Sequence, residues 1–320
     1  MNLRDYYKES ILPELSPLRS SYDSIKEKAK EKTLLIISLT GVLVVFFILG
    51  HAPSFAYYVL IAISLFAISR SSGLLRLSEI RHKTFQIVSD AVAKYHHSSL
   101  NCRPDFYIEE DSFKRSSLFT SPDSYTGSML VDGEVDGIPL SFSYIYAQER
   151  DDSDEDRTNY ITIFRGLFMR FVLPWQINSK IMIRPSATPT GLGRIFRPHR
   201  KWQLITLENP TFSKNFTVLA TDLVDPYMII TPEFMERYLK LMWSLRENIY
   251  LSIIPERVYV AVSGINPPGI KGMYEYPFKY EIAEDVSNYI TLGLNIFRTI
   301  TGNITKTLQK NNHRNNSITR

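Results

Sequence analysis

Two apolar runs separated by a tight break constrain this chain more than any other feature. The first is TLLIISLTGVLVVFFILG, residues 33 to 50, and the second is FAYYVLIAISLFAIS, residues 55 to 69. Neither contains a charged side chain. At about 1.5 Å of rise per residue the first run makes roughly 27 Å of helix, close to the thickness of a bilayer hydrocarbon core. The second reaches that length only if the residues from Ala52 join it or the bilayer thins. His51, Ala52, Pro53 and Ser54 leave no room for a domain between them. The pattern predicts a transmembrane helical hairpin at about 33–50 and 52–69. A buried helical pair in a soluble core is the alternative, and the length of uncharged sequence argues against it.

The flanks give the hairpin a direction. Lys26, Lys28, Lys30 and Lys32 precede it, Arg70, Arg76, Arg81 and Lys83 follow it, and the turn has neither Lys nor Arg. The bias of cationic loops toward the cytoplasm places both termini inside and the turn outside. Polar residues 1 to 32, with Asp5, Glu9, Glu14, Asp23, Glu27 and Glu31 among them, exclude a cleavable signal. Ser38, Thr40, Ser64 and Ser69 are too few to line a pore and suit helix packing beside Gly41.

The remainder is long enough for a sizeable core. In 320 residues the net charge is +4, which suits apposition to anionic lipid and not a nucleic-acid partner. A single cysteine, Cys102, excludes an intrachain disulfide. Residues 5 to 32 read as helix, broken in their first part by Pro13 and Pro17. Leu77, Ile80, Thr84, Val88, Ala91 and Tyr95 recur at spacings of three and four, predicting an amphipathic connecting helix over 70–100.

From residue 105 the period changes to two. Residues 127 to 148 read as two strands joined at Asp136-Gly137, a favoured hairpin turn. Further strands are expected at 159–173, 180–184, 202–207, 216–221, 250–254 and 257–263. Thr231-Pro232-Glu233 is a helix start, with Thr as N-cap, Pro at the first position and an acid in the first turn. Helices at 232–246 and 284–300 should cover one sheet face. The expected organisation is a cytoplasmic N-terminal helical segment at 1–32, membrane helices at 33–69, the connecting helix, a cytoplasmic domain at 101–301 and a disordered tail at 302–320. The fold class is α+β: a transmembrane hairpin followed by a mainly antiparallel-sheet domain with flanking helices.

Three segments together resemble the DUF3137 family of uncharacterised bacterial membrane proteins. These are YYKESILPELSPLR at 6–19, FRGLFMRFVLP at 164–174 and LENPTFSKNFTVLATDLVDPYMIITPEFMERYLKL at 207–241. The resemblance implies a bacterial inner-membrane protein and transfers no catalytic residue, because the family has no established activity. The chain departs from the family pattern at Asp225-Pro226-Tyr227 and at Ile230.

Chemical motifs are sparse. G-x-S-x-G, a P-loop and zinc-ligand spacing do not occur, and Gly191-x-Gly193 is only a fragment of a dinucleotide fingerprint. His96 and His97 lie near Cys102 in sequence, but adjacent helical residues point about 100° apart. The acidic stretch Glu149 to Asp156 reads as a loop tip; it lacks the glycine that turns a cation-binding loop. Arg194, Arg197, Arg200, Lys201 and Trp202 form a basic loop with aromatic character, the candidate contact for anionic lipid headgroups. No catalytic, cofactor or metal-binding residue is expected. The functional expectation is an accessory or scaffold protein binding a protein partner or lipid headgroups, with a membrane-tethered enzyme as the alternative.

Overall fold

The structure is a computed structural model. It describes residues 1–48, 74–151, 159–172, 177–186, 202–255, 257–268 and 276–318, with Tyr58, Ile61, Ala62 and Leu65. The chain divides into two compact units: Met1–Val88 with Ile270–Ala283, and Ser89–Gly269 with Glu284–Arg320.

The first unit is helical. Helix α1 (Leu3–Tyr6) passes through a π turn (Tyr7–Ile11) into α2 (Leu12–Ile48). The expected break at Pro13 and Pro17 does not occur. The π turn ends just before Pro13, and Pro17 sits inside α2 without ending it. Helix α3 (Leu74–His96) begins in this unit, with the predicted Leu77, Ile80, Thr84 and Val88 buried along one stripe. The segment 276–280 returns to the N-terminal helices through aromatic contacts. Tyr22 meets Tyr276 and Phe278 edge-on at 5.9 and 5.7 Å, and Tyr7 meets Tyr280 at 5.6 Å. The Tyr7 hydroxyl donates to the Phe278 carbonyl at 2.8 Å, and burial pushes its pKa up to about 12. Arg19 and Arg81 lie over the Tyr276 and Tyr22 rings, supplying the cations that electron-rich faces favour.

Among the described residues no helix is long and apolar enough to cross a membrane. Most of the second expected span, 52–69, and the end of the first lie outside the described residues.

The second unit is built on a nine-stranded antiparallel sheet in the order β1-β2-β3-β4-β9-β8-β5-β7-β6. Its strands are β1 (Asn101–Arg103), β2 (Ser124–Val135), β3 (Ile138–Asp151), β4 (Asn159–Val172), β5 (Ile181–Pro185), β6 (Gln203–Ile205), β7 (Phe216–Ala220), β8 (Ile249–Ile254) and β9 (Arg257–Ser263). The β2–β3 turn falls at Asp136-Gly137, both at positive φ (53° and 75°), as a two-residue hairpin requires. At Gly166 an added Cβ would overlap the Val262 carbonyl, so this position must lack a side chain for β4 to pair with β9.

Helices cover one sheet face, as the apolar pattern implies. On α8 (Tyr280–Ile318) Tyr289 packs on Phe142 at 5.9 Å and Phe297 on Phe171 at 5.3 Å. Gly293 admits the Phe142 ring, whose carbons lie 2.5 Å from where a Cβ would stand. Helix α7 (Pro232–Leu245) starts at Thr231, whose hydroxyl accepts from the Phe234 amide at 3.2 Å. Its Tyr238 packs on Phe216 of β7 at 4.9 Å and on Phe212 of the short α5 (Pro210–Asn215) at 6.0 Å, with the short α6 (Val224–Ile229) preceding α7 in the chain. Helix α8 continues to Ile318. A formed helix adds residues without a new nucleation cost, and no proline follows to stop it.

The opposite face is covered differently, by the segment after β1. Here β2 shifts register between Ser128 and Val131, with Met129 at φ 60°. The bulge turns the Met129 and Leu130 amides toward the Pro104 and Phe106 carbonyls, at 2.8 and 2.9 Å. The chain then runs across the sheet, with the Ile108 amide donating to Ser143 Oγ at 3.0 Å and Tyr125 OH to the Ile108 carbonyl at 2.8 Å. It forms the short α4 (Glu110–Ser116), whose buried Phe113 packs on Phe168 at 5.3 Å and stacks on Phe119 at 5.2 Å.

Candidate functional site

A cleft of about 490 Å³ opens on this second face, where α4 leaves the end of the sheet uncovered. That size is ordinary for a small-ligand pocket. Strand register brings its floor together. Asp132 of β2 stands opposite Ser141 of β3, Ser141 opposite Arg170 of β4, and Arg170 opposite Tyr259 of β9. Two residues along the same strands, Val172 stands opposite Arg257. Alternation of side chains puts Arg170, Val172 and Arg257 on one face. Glu109 and Arg115, flanking and within α4, complete the rim.

The charges are unevenly matched. Arg170 Nη1 donates to Glu109 Oε1 and, at 2.6 Å, to Ser112 Oγ; Ser112 Oγ donates to Glu109 Oε1 at 2.9 Å. Burial pushes the Glu109 carboxyl up, but its backbone bond and those from Arg170 and Ser112 outweigh that and hold it below the usual value. Asp132 accepts from Arg103 Nη2 at 3.0 Å. Both carboxylates are therefore tied to a guanidinium. Arg115 uses its Nε on the Asp111 carbonyl at 3.2 Å, and neither it nor Arg257 has a carboxylate partner among the described residues. Continuing the polar row, Tyr259 OH and Ser252 Oγ are buried with no hydrogen-bond partner among the described residues.

The residues singled out in the sequence lie elsewhere. Arg194, Arg197, Arg200 and Lys201 fall outside the described residues. Trp202 is half-buried and packs against the cluster containing Phe113, Phe164 and Tyr250. Of the acidic stretch, Glu149 and Asp151 end β3, and 152–156 lie outside the described residues.

Cys102 and the histidines do not form a pair. Cys102 is buried, and burial, with Asp90 and Asp132 nearby, pushes its thiol up to about 12. His96 Nε2 instead meets Ser287 Oγ at 2.8 Å, and His97 Nδ1 meets Ser99 Oγ at 2.8 Å. The Ser99 hydroxyl donates to the Glu134 carbonyl, tying the α3–β1 turn to β2. Among the described residues no group of His, Cys, Asp and Glu is placed to hold a metal ion.

The cleft residues Glu109, Arg115, Arg170 and Arg257 carry no motif. The one sequence signal was Arg170 itself, a cation inside the apolar run LFMRFV, which a strand core does not need.

Comparison with known proteins bears on the strands that form the cleft floor. A crystal structure of the mycobacterial trehalose monomycolate transport factor A aligns with a TM-score of 0.35 and 12% identity, over 65% of this chain and 95% of that one. Curated proteins give no match. The profile of DUF3137, described as a protein of unknown function, matches residues 162–293, from within β4 into α8. This segment includes Arg170 and Arg257 and excludes Glu109, Arg115 and Asp132. The resemblance read from the motifs at 164–174 and 207–241 is thus supported by the DUF3137 match over residues 162–293.

Proposed function

We propose that the protein is an integral membrane accessory protein of the bacterial inner membrane. Two helices at about 33–50 and 52–69 anchor it with both termini cytoplasmic, and the DUF3137-bearing α+β domain binds a protein partner or lipid headgroups at that face. The observation that carries this reading is the pair of charge-free apolar runs with lysines and arginines on their outer flanks and none in the turn. Binding rather than chemistry is favoured by the cleft, where each carboxylate is held by an arginine. A carboxylate with a lowered pKa is a weak general base.

The test is membrane extraction and topology. Cys102 is buried and its thiol is poorly ionised, so a cysteine placed at Ala52 is the one that labels. The protein should stay in the membrane pellet at alkaline pH. Ala52→Cys should react with an impermeant maleimide in intact cells, and Ser20→Cys only after the cells are opened. Release into the supernatant would refute the anchor, and the reverse labelling would refute the orientation.

A further inference from the structure

We propose that the cleft between α4 and the β3–β4–β9 end of the sheet is a binding site for a phosphate ester, gripped by Arg257 and Arg115 with Arg170 behind them. The inference does not depend on the membrane anchor.

Placement is the first argument. Arg170 and Arg257 are diagonal neighbours on adjacent strands of one face, since Arg170 pairs with Tyr259 and Val172 with Arg257. Like charges at that spacing repel, about 7–8 Å apart by the geometry of such pairs. Among the described residues only one of them is neutralised, Arg170 by Glu109. Arg115 adds a third guanidinium from the rim, its terminal nitrogens uncommitted to any carboxylate among the described residues. An anion between Arg115 and Arg257 relieves this repulsion.

The shape of the donors selects the anion. A guanidinium presents paired N–H groups that match two oxygens of a phosphate. A phosphate monoester has enough oxygens to accept from two such forks at once. Arg170 keeps its bonds to Glu109 and Ser112, which hold it and the start of α4 in place. It therefore acts as a positioning residue.

The volume argues for an ester rather than a bare ion. A cleft of about 490 Å³ holds more than a phosphate, and Pro139 and Val172 give it apolar wall for a small organic group. A soluble phosphate ester and an anionic lipid headgroup share this chemistry.

The experiment titrates the full-length protein in detergent with sn-glycerol 3-phosphate at constant ionic strength, by calorimetry. Saturable binding is expected, weakened about tenfold or more by Arg257→Gln and by Arg115→Gln. Lys114→Gln, which removes an adjacent cation paired with Glu110, should leave it unchanged. Thermal unfolding without ligand checks that each variant is folded. The same titration follows reconstitution in vesicles of phosphatidylcholine alone or with phosphatidic acid, whose headgroup is a phosphate monoester. Weaker apparent binding with phosphatidic acid identifies the headgroup as occupant, and equal binding in both identifies a soluble ester. No binding by the folded protein, or binding that falls equally in Lys114→Gln, overturns the proposal.

Discussion

Two rows that cross the same strands, one residue apart, differ in chemistry over β3, β4, β9 and β8. On the helix-covered face the row runs Phe142, Met169, Val260, Leu251, Ile183 and Val218 across β3, β4, β9, β8, β5 and β7. Every member is apolar and buried. On the opposite face the neighbouring row runs Ser141, Arg170, Tyr259, Ser252, Met182 and Leu219. Buried hydroxyls without a partner among the described residues occur on both sides, at Tyr259 and Ser252 here and at Tyr238 and Tyr289 of the covering helices. What the helix-covered row lacks is a charged side chain, and a sheet face covered only for stability has no use for an arginine. The helix-covered face holds the unit together, and the opposite face carries its arginines where it opens into the cleft.

The largest effect expected from this contrast is at Phe142. Phe142→Ala removes the ring that Tyr289 and Gly293 pack against and should destabilise by about 3–5 kcal/mol. Urea unfolding followed by circular dichroism measures it, and a loss under about 1 kcal/mol would mean the ring is not a core element. Gly293→Val approaches the same contact from the helix, forcing a Cβ into the Phe142 ring, and should cost about 1–3 kcal/mol.

Acid should separate the α8 side from the cleft. His96, against Ser287 of α8, has its pKa lowered by burial and then by Arg298. The unfolded chain takes up that proton more readily, so stability falls as pH drops below about 6.5. Glu109 has a lowered pKa, so its contribution is present above about 4.5 and is lost as pH falls further. His96→Gln should flatten the first fall and Glu109→Gln only the second. The Glu109 carboxylate is half exposed, so its step is small, about 0.2–1 kcal/mol. Stability curves from pH 7 to 3.5 check both, and a single shared step would show that the two groups do not titrate apart.

The smallest change is the most discriminating for the polar row. Tyr259→Phe deletes a buried hydroxyl that has no partner among the described residues and keeps the ring stacked on Phe168 at 5.9 Å. Stability should hold within about 0.5 kcal/mol or rise. A loss above about 1 kcal/mol would show that the hydroxyl is satisfied in solution.

Much of the sheet was legible because its signals are local. The alternation over 127–148 and 159–173, Asp136-Gly137 and Thr231-Pro232 each specify an element within a few residues, and the structure places β2, β3, β4 and α7 there. The stripe from Leu77 to Val88 marked α3, though farther along Val92 and Ala93 are buried where Ala91 and Tyr95 were expected. The cleft was not legible. Glu109, Arg170 and Arg257 are far apart in the chain and meet only through strand register and the Met129 bulge, whose left-handed φ falls on a residue that does not advertise it. The return of 276–280 to Tyr7 and Tyr22 is equally non-local. Pro13 and Pro17 misled for a different reason. A proline removes a single donor, and here helix continues past both.

The most direct test of the contrast between the two faces is amide hydrogen exchange on the full-length protein with and without saturating sn-glycerol 3-phosphate. Protection is expected at 109–116 and at the β4 and β9 residues around Arg170 and Arg257, with α7 and the α8 residues that pack on Phe142 and Phe171 unchanged. Protection confined to the helix-covered face, or none anywhere, would contradict the assignment of the open face as the binding face.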